Sequence, residues 1–333
     1  MEYHTREKTI LRALSENSRA TVSEISKIAN CSRVTAGKLI ERLTQELDIR
    51  FTLEIDPTSA GYLERHIMVF KFSRKPNPEE IAKILKEERL VLSAYLTEGN
   101  YDLVVYATAT DPIEYIHRET VITEKLSDYQ PIMKPSDIPF MSFGYMPFDN
   151  VLINNIGSGA KLDQLDIELL KLLNSNSRIS YSEMARELKV NEYTARYRVF
   201  NLKKIGIIKR FTIAVQKPPK NYLLTFFENF IFHKEFEKRS IIARGGFSAI
   251  DRELPLLSTF QLTAPITGSY GFFSMALFDN KEEAMKNVIR RHKSVYGKDQ
   301  IEIKYARITK VLKGLLPFRN LDVGKGFIAI KWE

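Results

Sequence analysis

Residues Leu162–Val215 read LDQLDIELLKLLNSNSRISYSEMARELKVNEYTARYRVFNLKKIGIIKRFTIAV. The apolar spacing predicts three helices and a two-stranded wing. Asp166 opens the first helix, whose stripe is Ile167, Leu169, Leu170 and Leu173. A polar break over Asn176–Ser180 comes next, and Ser182 starts a second helix with Met184, Ala185 and Leu188 inward. Lys189–Val190 form a turn, and Asn191 is the N-cap expected for the third helix, since a short oxygen-bearing side chain satisfies an orphan N–H there. Ala195, Val199 and Leu202 recur at helical spacing and face the core, which leaves Glu192, Tyr193, Thr194, Arg196, Tyr197 and Asn201 outside. Gly206 ends that helix, and Ile207–Val215 are β-branched strand residues with basic tips.

Two helices joined by a tight turn, the second with a polar and basic outer face, have the sequence form of a helix-turn-helix. The same pattern occurs near the start of the chain. At an offset of 159, Asn17-Ser18-Arg19 matches Asn176-Ser177-Arg178, and Ser23-Glu24-Ile25 matches Ser182-Glu183-Met184. Ser32 falls on Asn191, and Ala36, Ile40 and Leu43 fall on Ala195, Val199 and Leu202. A self-match of this length is an internal repeat.

The segments after the two copies also match each other. After the first come Ile67–Phe72, a helix opened by Asn77-Pro78, strands at Val91–Leu96 and Tyr101–Ala107 around the turn Thr97–Asn100, a helix opened by Asp111-Pro112, and a last strand at Ile138–Tyr145. After the second come strands at Tyr222–Phe232, Leu257–Leu262, Tyr270–Phe278 and Ile301–Ile308, with helices over 234–254 and 280–289. The order β-α-β-β-α-β is that of a ferredoxin-like sandwich. The fold class read from this is α+β, with two winged helix-turn-helix domains alternating with two ferredoxin-like domains. The boundaries are 1–55 and 62–148 for the first pair, a linker at 149–161, then 162–216 and 221–333.

This plan resembles the Lrp/AsnC family of regulators. The resemblance rests on Leu162-Asp163 with Asp166, on Asn176-Ser177-Arg178, on Ser182-Glu183-Met184-Ala185, and on Leu202 with Gly206-Ile207-Ile208. It implies that the second domain of each pair is of the RAM type, whose sheets pair to form dimers. It also implies a small amino-acid-like effector near a Gly-x-x-Asp loop. Gly99–Asp102 keeps that pattern, whereas Gly271 replaces the Asp in the second copy. The Arg that the family often carries at the place of Arg198 is Leu39 in the first copy.

Net charge is +9 with pI near 9.3, which favours polyanionic partners. Residues 56–150 hold ten Lys/Arg against fifteen Asp/Glu, a net of −5, whereas residues 216–333 hold twenty against twelve, a net of +8. The single cysteine, Cys31, excludes an intramolecular disulfide and a cysteine-based zinc cluster. The opening MEYHTREKTI has no apolar signal region and no run approaches membrane-spanning length, so a cytoplasmic protein without membrane contact is expected. The five histidines are scattered, Gly157-Ser158-Gly159 lacks the rest of a phosphate loop, and nothing has the form of a nucleophile elbow. The expectation is therefore a non-enzyme with no catalytic residue, metal or cofactor.

If duplex DNA is the ligand, Arg196 and Asn201 reach base edges, Tyr193 and Thr194 contact phosphate or a thymine methyl, and Tyr197 lies on the same nucleic-acid-binding face. Lys203, Lys204, Lys209 and Arg210 contact phosphate. In the first copy the matching outer face offers Arg33, Thr35, Lys38 and Arg42. Gly99, Tyr101 and Asp102 stand as an effector site or as a simple hairpin turn. Arg290, Arg291, Lys293 and Arg307 make the last domain the most basic, either for phosphate binding or as a solvated surface. The leading reading is a DNA-binding transcription regulator with two reading heads per chain, as a homodimer in preference to an internal pseudo-dimer. The alternative is an RNA- or ribosome-binding protein, such as an archaeal factor that dimerises small ribosomal subunits, favoured by the loss of the Arg198 equivalent, by Gly271 in place of the Asp of the second turn, and by charge placed away from the helical domains. A third reading is a small-molecule sensor acting through Gly99–Asp102.

Overall fold

A computed structural model describes residues 4–137, 153, 156, 162–217, 221–228, 260–265, 267–268, 272–278 and 302–318. The chain opens with three helices, α1 (Thr5–Glu16), α2 (Val22–Ile28) and α3 (Arg33–Leu47), and a strand β1 (Ile49–Ile55). Side-chain caps set the starts of α2 and α3. The Thr21 side chain accepts from the Glu24 N–H and the Ser32 side chain from the Thr35 N–H. A second unit repeats the plan as α6 (Gln164–Ser175), α7 (Tyr181–Glu187), α8 (Glu192–Lys204) and β6 (Ile208–Val215). Asn191 caps α8 as expected, accepting from the Thr194 N–H. The other two starts lie one residue or more earlier than the sequence suggests. Asp163 and Ser180 are the caps, and Asp166 and Glu183 reach back to complete capping boxes.

Each unit supplies only one wing strand, and β1 pairs antiparallel with β6. The two-stranded wing expected within each unit is thus formed between the units. A lone strand leaves a row of unpaired N–H and C=O groups. The repeated segment satisfies them by pairing with its own copy about Thr52↔Thr212. β12 (Leu316–Phe318) adds to the far side of β6.

Between the units lie β2 (Glu64–Phe72), α4 (Pro78–Glu87), β3 (Val91–Gly99), β4 (Leu103–Ala109), α5 (Pro112–Lys125) and β5 (Pro131–Asp137). Asn77 and Asp111 cap α4 and α5, each with Pro at the first helical position, where no N–H is needed. The last strand is Pro131–Asp137 rather than Ile138–Tyr145, which lies outside the described residues. Its two prolines hide it from a strand reading, yet proline is tolerated in a strand that needs few ladder donors.

The later part of the chain contributes β7 (Asn221–Glu228), β8 (Phe260–Pro265), β9 (Thr267–Gly268), β10 (Phe272–Phe278) and β11 (Glu302–Lys313). The helices expected over 234–254 and 280–289 lie outside the described residues, as does most of the expected linker. All these strands form one sheet in the order β8-β10-β7-β11-β3-β4-β2-β5-β9. Its ends, β8 and β9, are one residue apart in the chain, so the sheet closes on itself. The two junctions match: Ala306 stands opposite Gly99, and Ser136 opposite Gly268, the offsets being 170 and 169. On one face Phe70, Ile81, Leu85, Leu96, Leu103 and Ile122 form a core under α4 and α5. The other face, with Ile67, Val69, Tyr95, Tyr106, Leu224 and Met275, joins a core that runs through both helical units.

Candidate nucleic-acid interface

The two helical units are locked together by the residues they share. Ser18 and Ser177, both fully buried, meet hydroxyl to hydroxyl at 2.6 Å. Arg19 Nη1 donates to the carbonyls of Ser177 (2.6 Å) and Ile179 (3.0 Å). Reciprocally, Arg178 donates to the carbonyls of Ser18 (2.7 Å) and Ala20 (2.8 Å). The Ser18 N–H donates to the Phe211 carbonyl and the Ser177 N–H to the Phe51 carbonyl. Each guanidinium also covers rings of the other unit, Arg19 over Tyr181 (4.9 Å) and Phe211 (5.3 Å), and Arg178 over Phe51 (4.7 Å). Burial holds the Arg178 guanidinium below its ordinary pKa. Reciprocity of this kind is what an approximate two-fold axis produces. These four residues had no assigned role in the sequence reading. The signal was present, because Asn-Ser-Arg is kept unchanged in both copies while the outer faces diverge.

With the units fixed, α8 presents the face expected of a reading helix. Ala195, Val199 and Leu202 are buried. Tyr193, Arg196, Tyr197, Lys203 and Lys204 are exposed, and Thr194 and Asn201 are half-buried. Arg196 lies over the Tyr181 ring at 4.9 Å and donates to Glu192 at 3.0 Å, so its guanidinium is positioned in advance. Lys203 stands over Phe211. On α3, Arg33 and Lys38 are exposed and Thr35 is half-buried, its hydroxyl on Ser32 at 2.9 Å.

Other expected nucleic-acid contacts are held within the chain. Arg210 makes a two-pronged pair with Glu54 (2.7 and 2.6 Å), the side chains being 19% and 4% exposed. It joins the two wing strands, so the guanidinium expected at phosphate is engaged within the chain. Lys209 pairs with Asp56 at 3.0 Å. Arg42 pairs with Glu7 and approaches Glu46. Arg198 pairs with Asp163 (2.6 Å) and Asp166 (3.1 Å). Its hydrogen bond to Asp163 raises the Arg198 pKa. Burial works to raise Asp163, but the Asp166 N–H and Arg198 outweigh it and leave its carboxyl below the ordinary range. Asp166, more buried and beside Asp163, is raised. At the 159 offset Glu7 occupies the place of Asp166. Leu39 in place of Arg198 is therefore compensated: the same tie between first and third helix is made from Arg42, three positions on.

Gly99–Asp102 lies at the β3–β11 junction. Gly99 has φ +125°, and a Cβ there would sit 2.7 Å from the Tyr305 carbonyl. The Asn100 N–H donates to that carbonyl (2.9 Å), and Asn100 Oδ1 accepts from the Tyr305 N–H (3.0 Å). Tyr101 is buried. Asp102 accepts from the Phe72 N–H and from Lys71, both at 2.8 Å. The turn is built for the junction.

The basic character of β11 has a partner as well. Arg307 donates to Glu98 (2.7 Å), Lys310 to Glu79 (2.7 Å), and the buried Lys313 to the Glu88 carbonyl (2.6 Å). Glu98 holds the Arg307 pKa up. Among the described residues, two cations of the basic last region thus meet acids of residues 56–150. Arg290, Arg291 and Lys293 lie outside the described residues. Among the described residues no helix is long and apolar enough to cross a membrane.

Residues 162–209 match the family model described as winged helix-turn-helix DNA-binding. Curated relatives agree. An HTH-type transcriptional regulator of Pyrococcus abyssi is 39% identical over 66 residues, 20% of this chain and 45% of the relative. The HTH-type transcriptional regulator LysM of Saccharolobus solfataricus is 46% identical over 57 residues, 17% of this chain and 40% of the relative. Over this segment the chain is similar to DNA-binding winged helix-turn-helix regulators. The chain spans less than half the length of those curated relatives. Its fold as a whole is similar to that of the siroheme decarboxylase NirDL, with TM-score 0.59 and 14% identity over 94% of each chain. That likeness covers the fold alone.

Proposed function

We propose that the chain is a DNA-binding transcription regulator. In this reading two winged helix-turn-helix heads, residues 4–55 and 162–215, are carried as an internal pseudo-dimer over two ferredoxin-like, RAM-type halves. The observation that carries it is the outer face of α8, where Tyr193, Arg196, Tyr197, Lys203 and Lys204 are exposed within the segment that matches DNA-binding winged helices. The sheet edges at β3 and β11, which a second chain would use, are paired within this one. The clamp at Ser18/Ser177 holds the heads at a fixed mutual angle, as a regulator reading two half-sites requires. An amino-acid-like effector belongs to the proposal only at the Gly99–Asp102 turn, where it would act by loosening β3 from β11.

The deciding measurement is equilibrium binding of the full chain to duplex DNA over a range of salt. A regulator binds a selected duplex at least about a thousandfold more tightly than random duplex. Arg196→Ala relaxes sequence preference, whereas Lys203→Ala with Lys204→Ala weakens all sequences and lowers the salt slope by about two. Co-sedimentation with small ribosomal subunits, without preference among duplexes, sinks this reading in favour of the ribosome-binding one. The charge on β11 no longer favours that alternative, because Glu98 and Glu79 take up Arg307 and Lys310. Since a fold carries no chemistry by itself, the siroheme decarboxylase likeness is tested separately, by an absorbance titration with an iron porphyrinoid.

A further inference from the structure

At the 159 offset, Val34, Lys38 and Glu41 of α3 stand where α8 has Tyr193, Tyr197 and Phe200. The spacing i, i+4, i+7 puts each trio on one stripe of its helix. On α8 the stripe is wholly aromatic and open, with Tyr193, Tyr197 and Phe200 at 77%, 54% and 63% exposed. The rings of Tyr193 and Tyr197 lie 6.5 Å apart and nearly parallel at 12°. Arg196, Lys203 and Lys204 flank the ridge, and the acid of α8, Glu192, is held by Arg196. On α3 the same stripe is one aliphatic, one cation and one anion, all but Val34 charged.

Such a ridge is costly to leave in water, and the flanking cations select a polyanionic occupant. The ring faces carry no donor or acceptor with which to read the hydrogen-bonding edges of bases. In the major groove one base-edge group suits them, the 5-methyl of thymine. The tyrosine hydroxyls at the ring tips are placed to reach phosphate while the rings lie against methyls. Glu41, by contrast, sets a carboxylate on the α3 stripe, which phosphate repels.

Resting on the DNA-binding reading above, we propose that Tyr193, Tyr197 and Phe200 add to Arg196 a second set of specificity-determining residues on the second head, that they read thymine methyls in the major groove, and that the chain binds a non-palindromic site with its thymine-rich half under α8. The internal clamp keeps the two heads geometrically equivalent, so the asymmetry lies entirely in their outer residues.

The test begins with selection of binding sequences from a random duplex library by the full chain. The expected product is a site with two unlike halves. Replacing thymine by deoxyuracil removes only the methyl and weakens binding about fourfold per methyl, in one half alone. The Tyr193→Ala/Tyr197→Ala variant, with circular dichroism to verify its fold, loses both the preference of that half and its sensitivity to deoxyuracil. The Val34→Ala variant keeps both. Matching half-sites, or a thymine-rich half indifferent to deoxyuracil, overturns the inference while leaving the regulator reading in place. Tighter binding to the single strand than to the duplex overturns it as well, since the rings then stack on unpaired bases. Selection of no sequence at all removes the regulator reading and the inference with it.

Discussion

The two helical units share one order of elements, yet they differ in how alike they are inside and out. Toward each other they present the same residues, Ser18 with Arg19 and Ser177 with Arg178, in reciprocal hydrogen bonds. Toward solvent they share almost nothing, α8 being aromatic and cationic where α3 is mixed in charge. The difference shows which surface was constrained by geometry. An approximate two-fold contact requires the same group on both sides, so neither copy can drift alone. An outer face has no such requirement.

The largest effect is expected from breaking the shared side. Arg19→Ala with Arg178→Ala removes four charge-assisted bonds to backbone carbonyls and is expected to lower stability by about 4 kcal/mol or more in denaturant unfolding. A loss under about 1 kcal/mol would mean that the wing strands alone hold the units. Next, Arg210→Ala leaves Glu54 charged and buried without its guanidinium, which costs about 3 kcal/mol. The salt slope of DNA binding should stay unchanged in that variant. A slope reduced by about one would return Arg210 to the phosphate contacts.

Gly99→Ala tests whether the sheet junction is as constrained as the clamp. The left-handed φ and the Tyr305 carbonyl together should cost about 2 kcal/mol, read as a lower thermal midpoint. An unchanged midpoint would show that β3 and β11 slide freely.

The smallest effect sharpens the comparison between Arg198 and Arg42. Asp163→Asn keeps an N-cap but removes the charge facing Arg198. Asp163 is 51% exposed, so the expected loss is at most about 1 kcal/mol. Because the Asp163 pKa is depressed in the folded state, the contribution is present above the ordinary carboxylate pKa. It disappears as pH falls through the lower folded value. The raised Asp166 has the opposite sign, its protonation on acidification relieving a buried charge. The difference between variant and parent should therefore be seen at neutral pH and vanish in strong acid. A constant difference across pH would assign the effect to the cap.

Much of the fold was legible because it is written in local chemistry. Caps at Asn191, Ser32, Asn77 and Asp111 act within three residues, and Pro78 and Pro112 mark first helical positions wherever the helix is later placed. The repeat at 159 was legible as well. The strand Pro131–Asp137 was not, since its prolines argue against a strand until β2 is known to supply the ladder. The outer face of α8 follows from helical spacing, though Phe200 on it does not, and the carboxylates that hold Lys209, Arg210, Arg42 and Arg307 lie too far away in sequence for spacing to reveal them.

By itself, then, the amino-acid order determined where helices begin, which positions face inward, and that the unit of three helices and a strand is repeated, because each of these is written in residues close together in the chain. Only the three-dimensional arrangement decided which charges remain open to a partner and which are neutralised within the chain. Ion pairing depends on distance in space, and Glu54 lies 156 residues from Arg210 along the chain but 2.6 Å away across the wing.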